Sequence, residues 1–386
     1  MNTSWWVSKD ELDETQLAFI NLSAQGRYQL EGPAGSGKTN LLLLRAQFVA
    51  GQGDKHVLVI TYTRSLSRFL RSGLVDTGLM EPDQVRTFHS WAKEHVKRYL
   101  NEDIVEADHD FDENVRAKTV ELLRRANEKV PTKKLINSVF IDEAQDLTAD
   151  EISCLTDIAE NVCVCGDLKQ GIYHRNGLDA ATALNLTKFT LTNHYRIGHR
   201  IARVADRLLP PANAAESLEA TSNYNEKKLG KSTADLHKLT SRDAQFQKMM
   251  EILNIQVSAY AGDRIGILCG RRKTAQEVYA RLAASELGPS TCSHLVDGTD
   301  FSSDAQIHVM TMHSSKGVEF RAAHLFGIEE LKSGHMNNPT LAYTAVTRAK
   351  TALNAYCTAA TSAEIEHAFA EKKHIEIDAL FPSINK

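Results

Sequence analysis

The sequence predicts an α/β protein of parallel sheets flanked by helices, on three observations. Short apolar runs such as HVLVIT (56–61) and SVFI (138–141) alternate with segments of helical period. Some of these runs end in acids or glycine, at the strand ends where such sheets gather their ligands. A glycine-rich loop, Gly32 to Thr39 (GPAGSGKT), follows the strand-like Tyr28, Gln29, Leu30 and precedes the apolar Leu41 to Leu44.

That loop has the spacing G-x-x-x-x-G-K-[ST]. Glycines such as Gly32, Gly35 and Gly37 let the backbone curl, so that successive N–H groups, with that of Ser36, point at phosphate oxygens. The helix opening behind the loop adds unpaired N–H groups and a partial positive charge. Lys38 is placed to reach the β- and γ-phosphates, and the Thr39 hydroxyl to hold Mg²⁺. The expected ligand is therefore a nucleoside triphosphate with its magnesium.

At 386 residues the chain is long enough for two ordinary domains. With 42% hydrophobic and 24% charged residues it reads as a globular protein with sizeable cores. The net charge of −4 gives no global basic signature, so nucleic-acid contact has to come from local patches. No apolar run approaches a membrane span, and the start lacks the pattern of a signal peptide. The six cysteines form no C-x-x-C pair and read as buried thiols of a reducing compartment rather than zinc ligands or disulfides. The expected location is cytoplasmic, nucleoid-associated in a bacterium.

Along the chain, strands are expected at His56–Thr61, Val85–Phe88, Ser138–Ile141 and Val162–Cys165, with helices at Ser90–Leu100 and Thr148–Glu160. Asn101–Lys134 is highly charged and reads as an excursion between two strands. Lys188–Thr192 reads as the crossing into a second domain. Pro210–Ala234, rich in Ala, Ser, Asn and Lys, reads as a loop or mobile excursion. Strands then resume at Leu236–Leu239, Ile265–Cys269, Ile307–Met312, Ala322–Ile328 and Ala352–Tyr356. The expected domains are 1–190, with a short insertion at 93–137, and 191–386, with a loop at 210–234 and a tail from 358.

The run Ser138 to Asp146 (SVFIDEAQD) is an apolar strand delivering carboxylates at its C-terminal end. Asp142 is placed to hold Mg²⁺ through water, and Glu143 to take the proton from the attacking water. Past the next strand, Gln170 in GDLKQ is a candidate γ-phosphate sensor, because an amide donates and accepts at once.

The order GPAGSGKT, ITYTRS, TFHS, DEAQD, GDLKQGIY, NHYR, MHSSKGVEF, AYTAVTRA resembles the UvrD/Rep-like branch of superfamily 1 helicases, over roughly Gln16 to Lys350. The resemblance implies two RecA-like domains, ATP between them and single-stranded DNA across their top. It implies that Gln16 reads the adenine edge, Tyr195 stacks on adenine and Glu319 lies near the ribose. Arg196 then reaches the γ-phosphate, and Arg348 is the arginine finger from the second domain. Guanidinium groups suit that task, being permanently charged and forked. Tyr62, Arg64, Thr87, Phe88, His89, Tyr173, Arg175, Thr311 and His313 fall in stretches that line the strand path in the family. Aromatic faces there stack on bases, and Arg64, Arg68 and Arg71 supply local positive charge.

Three positions depart from the family pattern. Arg175 stands where an aromatic is usual, Asn40 where an adenine-packing arginine is common, and Arg64 replaces an asparagine. The stretch from NHYR to MHSSKG (197–312) is too short to hold the large second accessory subdomain as well as the strands of a RecA-like domain. The expected activity is a 3′-to-5′ single-stranded-DNA translocase of minimal form. The alternative is an ATP-gated DNA-binding switch or sensor subunit that acts with a partner such as a nuclease, in DNA repair or anti-phage defence.

Overall fold

The computed structural model describes residues 9–54, 56–74, 78–104, 113–173, 175–295, 304–332, 336–358 and 361–370. It contains two six-stranded sheets, and every strand pairing in them is parallel. The first is built from β1 (Arg27–Glu31), β2 (Val57–Thr61), β3 (Val85–Thr87), β4 (Ile136–Ile141), β5 (Ala159–Cys165) and β6 (Thr187–Thr190), in the order β3-β2-β4-β5-β1-β6. Its helices are α1 (Glu14–Ile20), α2 (Lys38–Gly51), α3 (Arg64–Ser72), α4 (Phe88–Leu100), α5 (Glu113–Lys129), α6 (Ala149–Thr156) and α7 (Gly177–Ala183).

The second sheet takes β7 (Thr233–Lys238), β8 (Ile265–Cys269), β9 (Thr291–Ser293), β10 (Ile307–Thr311), β11 (Phe320–Phe326) and β12 (Ala349–Cys357), in the order β7-β12-β11-β8-β10-β9. Its helices are α8 (His199–Leu208), α9 (Glu226–Leu229), α10 (Arg242–Ala259), α11 (Arg272–Ala283), α12 (Pro339–Val346) and α13 (Ala363–Phe369). Central strands such as β8 are buried along their whole length, which is why they read as unbroken apolar runs.

The strand order positions the chemistry. β5 lies between β1, which feeds the phosphate loop, and β4, which ends at Asp142. The turn after β5, Gly166–Asp167, therefore falls between loop and acids. In the second lobe, residues 312–319 run from the C-terminal end of β10 to the start of β11 without a helix of α type. That short crossover lies against the first lobe. A Cβ on Gly317 (φ +80°) would come 2.2 Å from a methyl carbon of Leu66 in α3, so the closeness of the lobes here depends on glycine.

Several boundaries differ from those read in the sequence. Lys188–Thr192 is not simply a crossing, because Thr187–Thr190 forms β6, the edge strand beside β1. Its polar residues TKFT are mostly exposed, so no apolar run announces it. The expected helix Thr148–Glu160 stops at Thr156, because Ala159 already pairs with Ile136. Phe88 opens α4 instead of closing β3, with the Thr87 hydroxyl as cap. The three-residue β9 gave too short a signal to read.

The stretch 210–232 is mostly irregular, with the short α9 near its end, and is folded onto the second lobe. Leu218 and Tyr224 are buried, and Asp206 accepts hydrogen bonds from the backbone N–H groups of Leu218 (2.8 Å) and Glu219 (2.9 Å). Between β3 and β4, α4 and α5 pack together, with residues 105–112 outside the described part. In α5, Arg116 pairs with Glu151 and reaches the Tyr62 hydroxyl at 3.3 Å, tying this insertion to the sheet. The tail beyond residue 370 lies outside the described residues.

Candidate functional site

The phosphate loop leaves β1 and opens α2 with Gly35 at φ +76° and Gly37 at φ +87°. These left-handed positions suit glycine, and at Gly35 a Cβ would also press on Ile197 at 2.9 Å. The Lys38 ammonium donates to the carbonyls of Gly32 (2.9 Å) and Pro33 (3.0 Å) and stands 3.9 Å from the Asp167 carboxylate. Gln16 is buried against the loop, its amide donating to the Ser36 carbonyl at 3.1 Å. Asp13 caps the helix that carries Gln16. Burial and a hydrogen bond to Asp13 push the Tyr195 phenol upward, and that bond sets Tyr195 at the start of the helix that carries Gln16.

The acids come from the end of β4. Asp142 continues the ladder through its N–H to the Ile60 carbonyl at 2.8 Å. Glu143 then takes a left-handed conformation at φ +52°, which costs a non-glycine residue about 1–3 kcal/mol and turns it out of the strand. Burial, reinforced by the Glu143 charge, pushes the Asp142 carboxyl up to about 6. The Cys165 thiol, at the end of β5, donates to Asp142 Oδ1 at 2.8 Å. Asp142 Oδ2 is buried with no hydrogen-bond partner, as is the Ser36 hydroxyl. An orphaned carboxylate oxygen whose acid is short of compensating charge, with Thr39 on the same cavity wall, suits a hydrated divalent cation. The Gln145 amide donates to Glu143, and the Gln145 carbonyl oxygen accepts from the Asp167 N–H at 3.0 Å.

The second lobe closes the same cavity. Lys38, Thr39, Asp142, Glu143, Gln170, Arg196, Glu319 and Arg348 all line it. Arg348, just before β12, donates to Gln170 Oε1 at 2.8 Å and through Nε to the Thr344 carbonyl at 2.9 Å. Gln170 in turn donates to Asp167 at 2.9 Å. Arg196, in the passage between the lobes, pairs with Glu319 at 2.8 Å and lies next to Gly37. Burial alone would raise the Glu319 carboxyl, but Arg196, Lys350 and Arg348 outweigh it and hold it at about 2.

The sequence reading missed Lys316. Its ammonium is fully buried, donating to Asp146 Oδ1 (2.7 Å), Asp146 Oδ2 (2.6 Å) and the Gln170 carbonyl (2.7 Å), 3.7 Å from Glu143. Only its place in SSKG, beside the glycine that touches Leu66, hinted at this. Removing one member of a buried ion pair leaves the other uncompensated. Lys316→Met is therefore expected to lower stability by about 3–5 kcal/mol, with most of the loss recovered in Lys316→Met/Asp146→Leu. Urea unfolding measures both. A loss below about 1 kcal/mol in the single variant would mean that the pair does not form in solution.

Of the expected strand-path residues, Tyr62, His89, Tyr173, Arg175 and His313 come together where the lobes meet. Tyr62 lies 5.1 Å from Tyr173 and 5.5 Å from His89, and Tyr173 lies 6.4 Å from His313, between ring centroids. The Arg175 guanidinium covers both tyrosines, at 4.8 Å and 4.9 Å, and donates to the Asp146 carbonyl at 2.6 Å. Arg64 is exposed at the start of α3. Thr87 caps α4, and the Thr311 hydroxyl bonds Ser314 at 2.9 Å. Phe88 corrects the expectation. It has no exposed surface and packs on Trp91, so it serves the core and offers no face to a base; Tyr62 is likewise buried, beneath Tyr173 and Arg175.

Comparison with known proteins agrees with the motif order. A model described as an AAA domain matches residues 16–176, and one described as the UvrD-like helicase C-terminal domain matches residues 306–356. None of the curated proteins matches by sequence. Among solved structures, the C-terminal domain of a possible DNA helicase from Lactobacillus plantarum aligns at 15% identity and a TM-score of 0.34, covering 44% of this chain and 91% of that one. The PRRSV helicase aligns at 15% identity and a TM-score of 0.41, covering 88% of this chain and 54% of that one. Among the described residues, no helix is long and apolar enough to cross a membrane. With its two parallel-sheet RecA-like domains, the chain is similar to an AAA domain over its first lobe and to the UvrD-like helicase C-terminal domain over residues 306–356.

Proposed function

We propose that the chain hydrolyses Mg-ATP in the cleft between its lobes and uses the cycle to move 3′ to 5′ along single-stranded DNA. The observation that carries this reading is the shared cavity. Lys38, Thr39, Asp142 and Glu143 enter it from one lobe, and Arg348 and Glu319 from the other, with Arg196 between. The loop N–H groups and Lys38 bind the phosphates, and Gln16 and Tyr195 flank the base. Mg²⁺, held by Thr39 and Asp142, would neutralise charge on the phosphoryl oxygens. Glu143 takes the proton of the attacking water, and Gln170 positions that water against the γ-phosphate. Arg348 and Arg196 exchange their present partners, Gln170 and Glu319, for γ-phosphoryl oxygens, drawing the lobes together.

DNA lies over Tyr173, His89 and His313, above the buried Tyr62, where rings from both lobes and the Arg175 guanidinium offer stacking surfaces without base-specific readout. The cluster adjoins Lys316 and Asp146, so closure of the cleft changes the spacing of these rings.

ATP hydrolysis measured alone and with single-stranded DNA, RNA or duplex tests substrate class and coupling together. Single-stranded DNA is expected to stimulate turnover, and streptavidin is expected to be displaced faster from a 5′ than from a 3′ biotin. Stimulation by RNA alone removes the DNA assignment. Equal displacement from both ends removes the stated direction, and a rate indifferent to any polynucleotide removes the motor.

A further inference from the structure

The second lobe holds a cluster that the nucleotide site does not use. Cys292 on β9, His294 just after it and His308 on β10 point three ligand atoms at one spot. Cys292 and His308 are register partners on adjacent parallel strands, so the sheet itself sets their approach. His294 Nε2 is 2.9 Å from His308 Nδ1, Cys292 Sγ is 3.2 Å from that nitrogen, and Sγ is 3.6 Å from His294 Nε2. Both histidines are buried.

We propose that these residues bind a zinc-class cation that fastens the edge strand β9 to β10. A ring nitrogen carries one proton or one lone pair. His308 Nδ1 therefore serves one of its two neighbours well by hydrogen bonding, whereas a cation at the centre satisfies all three atoms. With bonds of about 2.0–2.1 Å to nitrogen and 2.3 Å to sulfur, tetrahedral zinc sets its ligand atoms roughly 3.3–3.6 Å apart. The triangle here is within a few tenths of an ångström of that. Thiolate with two imidazoles is a soft to borderline donor set, which favours zinc over magnesium or calcium. The other five cysteines are all buried elsewhere in the two cores.

β10 continues into Thr311 and His313, so a clamp at its far end steadies the strand that leads to the Tyr173 cluster. The role is structural, and the site is independent of the nucleotide cleft.

The test uses the full chain, nucleotide-free and reduced, titrated with Co²⁺ and then Zn²⁺. One equivalent of Co²⁺ is expected to give a near-ultraviolet sulfur-to-cobalt band and the strong visible bands of tetrahedral cobalt, both removed by Zn²⁺. Zn²⁺ is also expected to raise the melting temperature where Mg²⁺ does not. Cys292→Ser should abolish the sulfur band, and His294→Gln should lower Zn²⁺ affinity at least about tenfold. Because Ser and Gln keep size and polarity, retained circular dichroism separates lost ligation from lost folding. Absence of the sulfur band in the wild type, its survival in Cys292→Ser, or unchanged Zn²⁺ affinity in His294→Gln overturns the assignment.

Discussion

Arg348→Ala is expected to lower the ATP turnover number by about 10³-fold or more while nucleotide affinity stays within a few-fold. The reasoning starts with the fold. Arg348 sits just before β12 with its Nε held by the Thr344 carbonyl, so its outer nitrogens are aimed across the cleft at Gln170. A pre-aimed guanidinium in a desolvated cleft stabilises charge that develops only at the transition state, so its loss falls on kcat more than on binding. Arg348→Lys should not rescue the rate, because a single ammonium lacks the fork. Steady-state kinetics beside equilibrium binding of a fluorescent ATP analogue separates the two effects. A rate within tenfold of wild type, in a variant that melts like wild type, would take Arg348 out of the chemistry.

Glu143→Gln is expected to reduce turnover by about 10²–10⁴-fold and to leave ATP bound. The exchange is nearly isosteric, and the contact from Gln145 survives because the new carbonyl oxygen still accepts. What disappears is a group able to take a proton. The left-handed backbone at Glu143 supports this choice, since strain held at a non-glycine residue at the mouth of a cleft calls for a functional account. Single-turnover hydrolysis with bound nucleotide quantified in parallel is the measurement. Wild-type turnover in this variant would assign the base elsewhere and leave Glu143 a neighbour of Lys316.

Much of the cleft was legible because each part is local. A glycine pattern before a helix, or an apolar strand ending in acids, is written in a few consecutive residues, as at Gly32–Thr39 and Ser138–Asp146. Central strands showed themselves by being buried on both faces. β6 and β9 did not, since an edge strand needs no apolar run. Phe88 was misjudged because an aromatic beside an exposed His89 carries no mark of which way it turns; one residue's shift in the helix start sends it inward. Lys316 and the Cys292–His308 pair depend on partners far away in the chain, Asp146 in one case and the neighbouring strand in the other. Spacing within one segment cannot reveal such meetings.

Gln170 receives two cations from the opposite lobe: its carbonyl takes Lys316 and its amide oxygen takes Arg348. Neither can be half released at low cost, because a slight gap would strand an ammonium and a guanidinium in a space too narrow for full hydration. Ajar geometries should therefore be scarcely populated, and the hinge should snap between shut and wide rather than drift. A ratchet whose catch is dehydration moves in whole clicks.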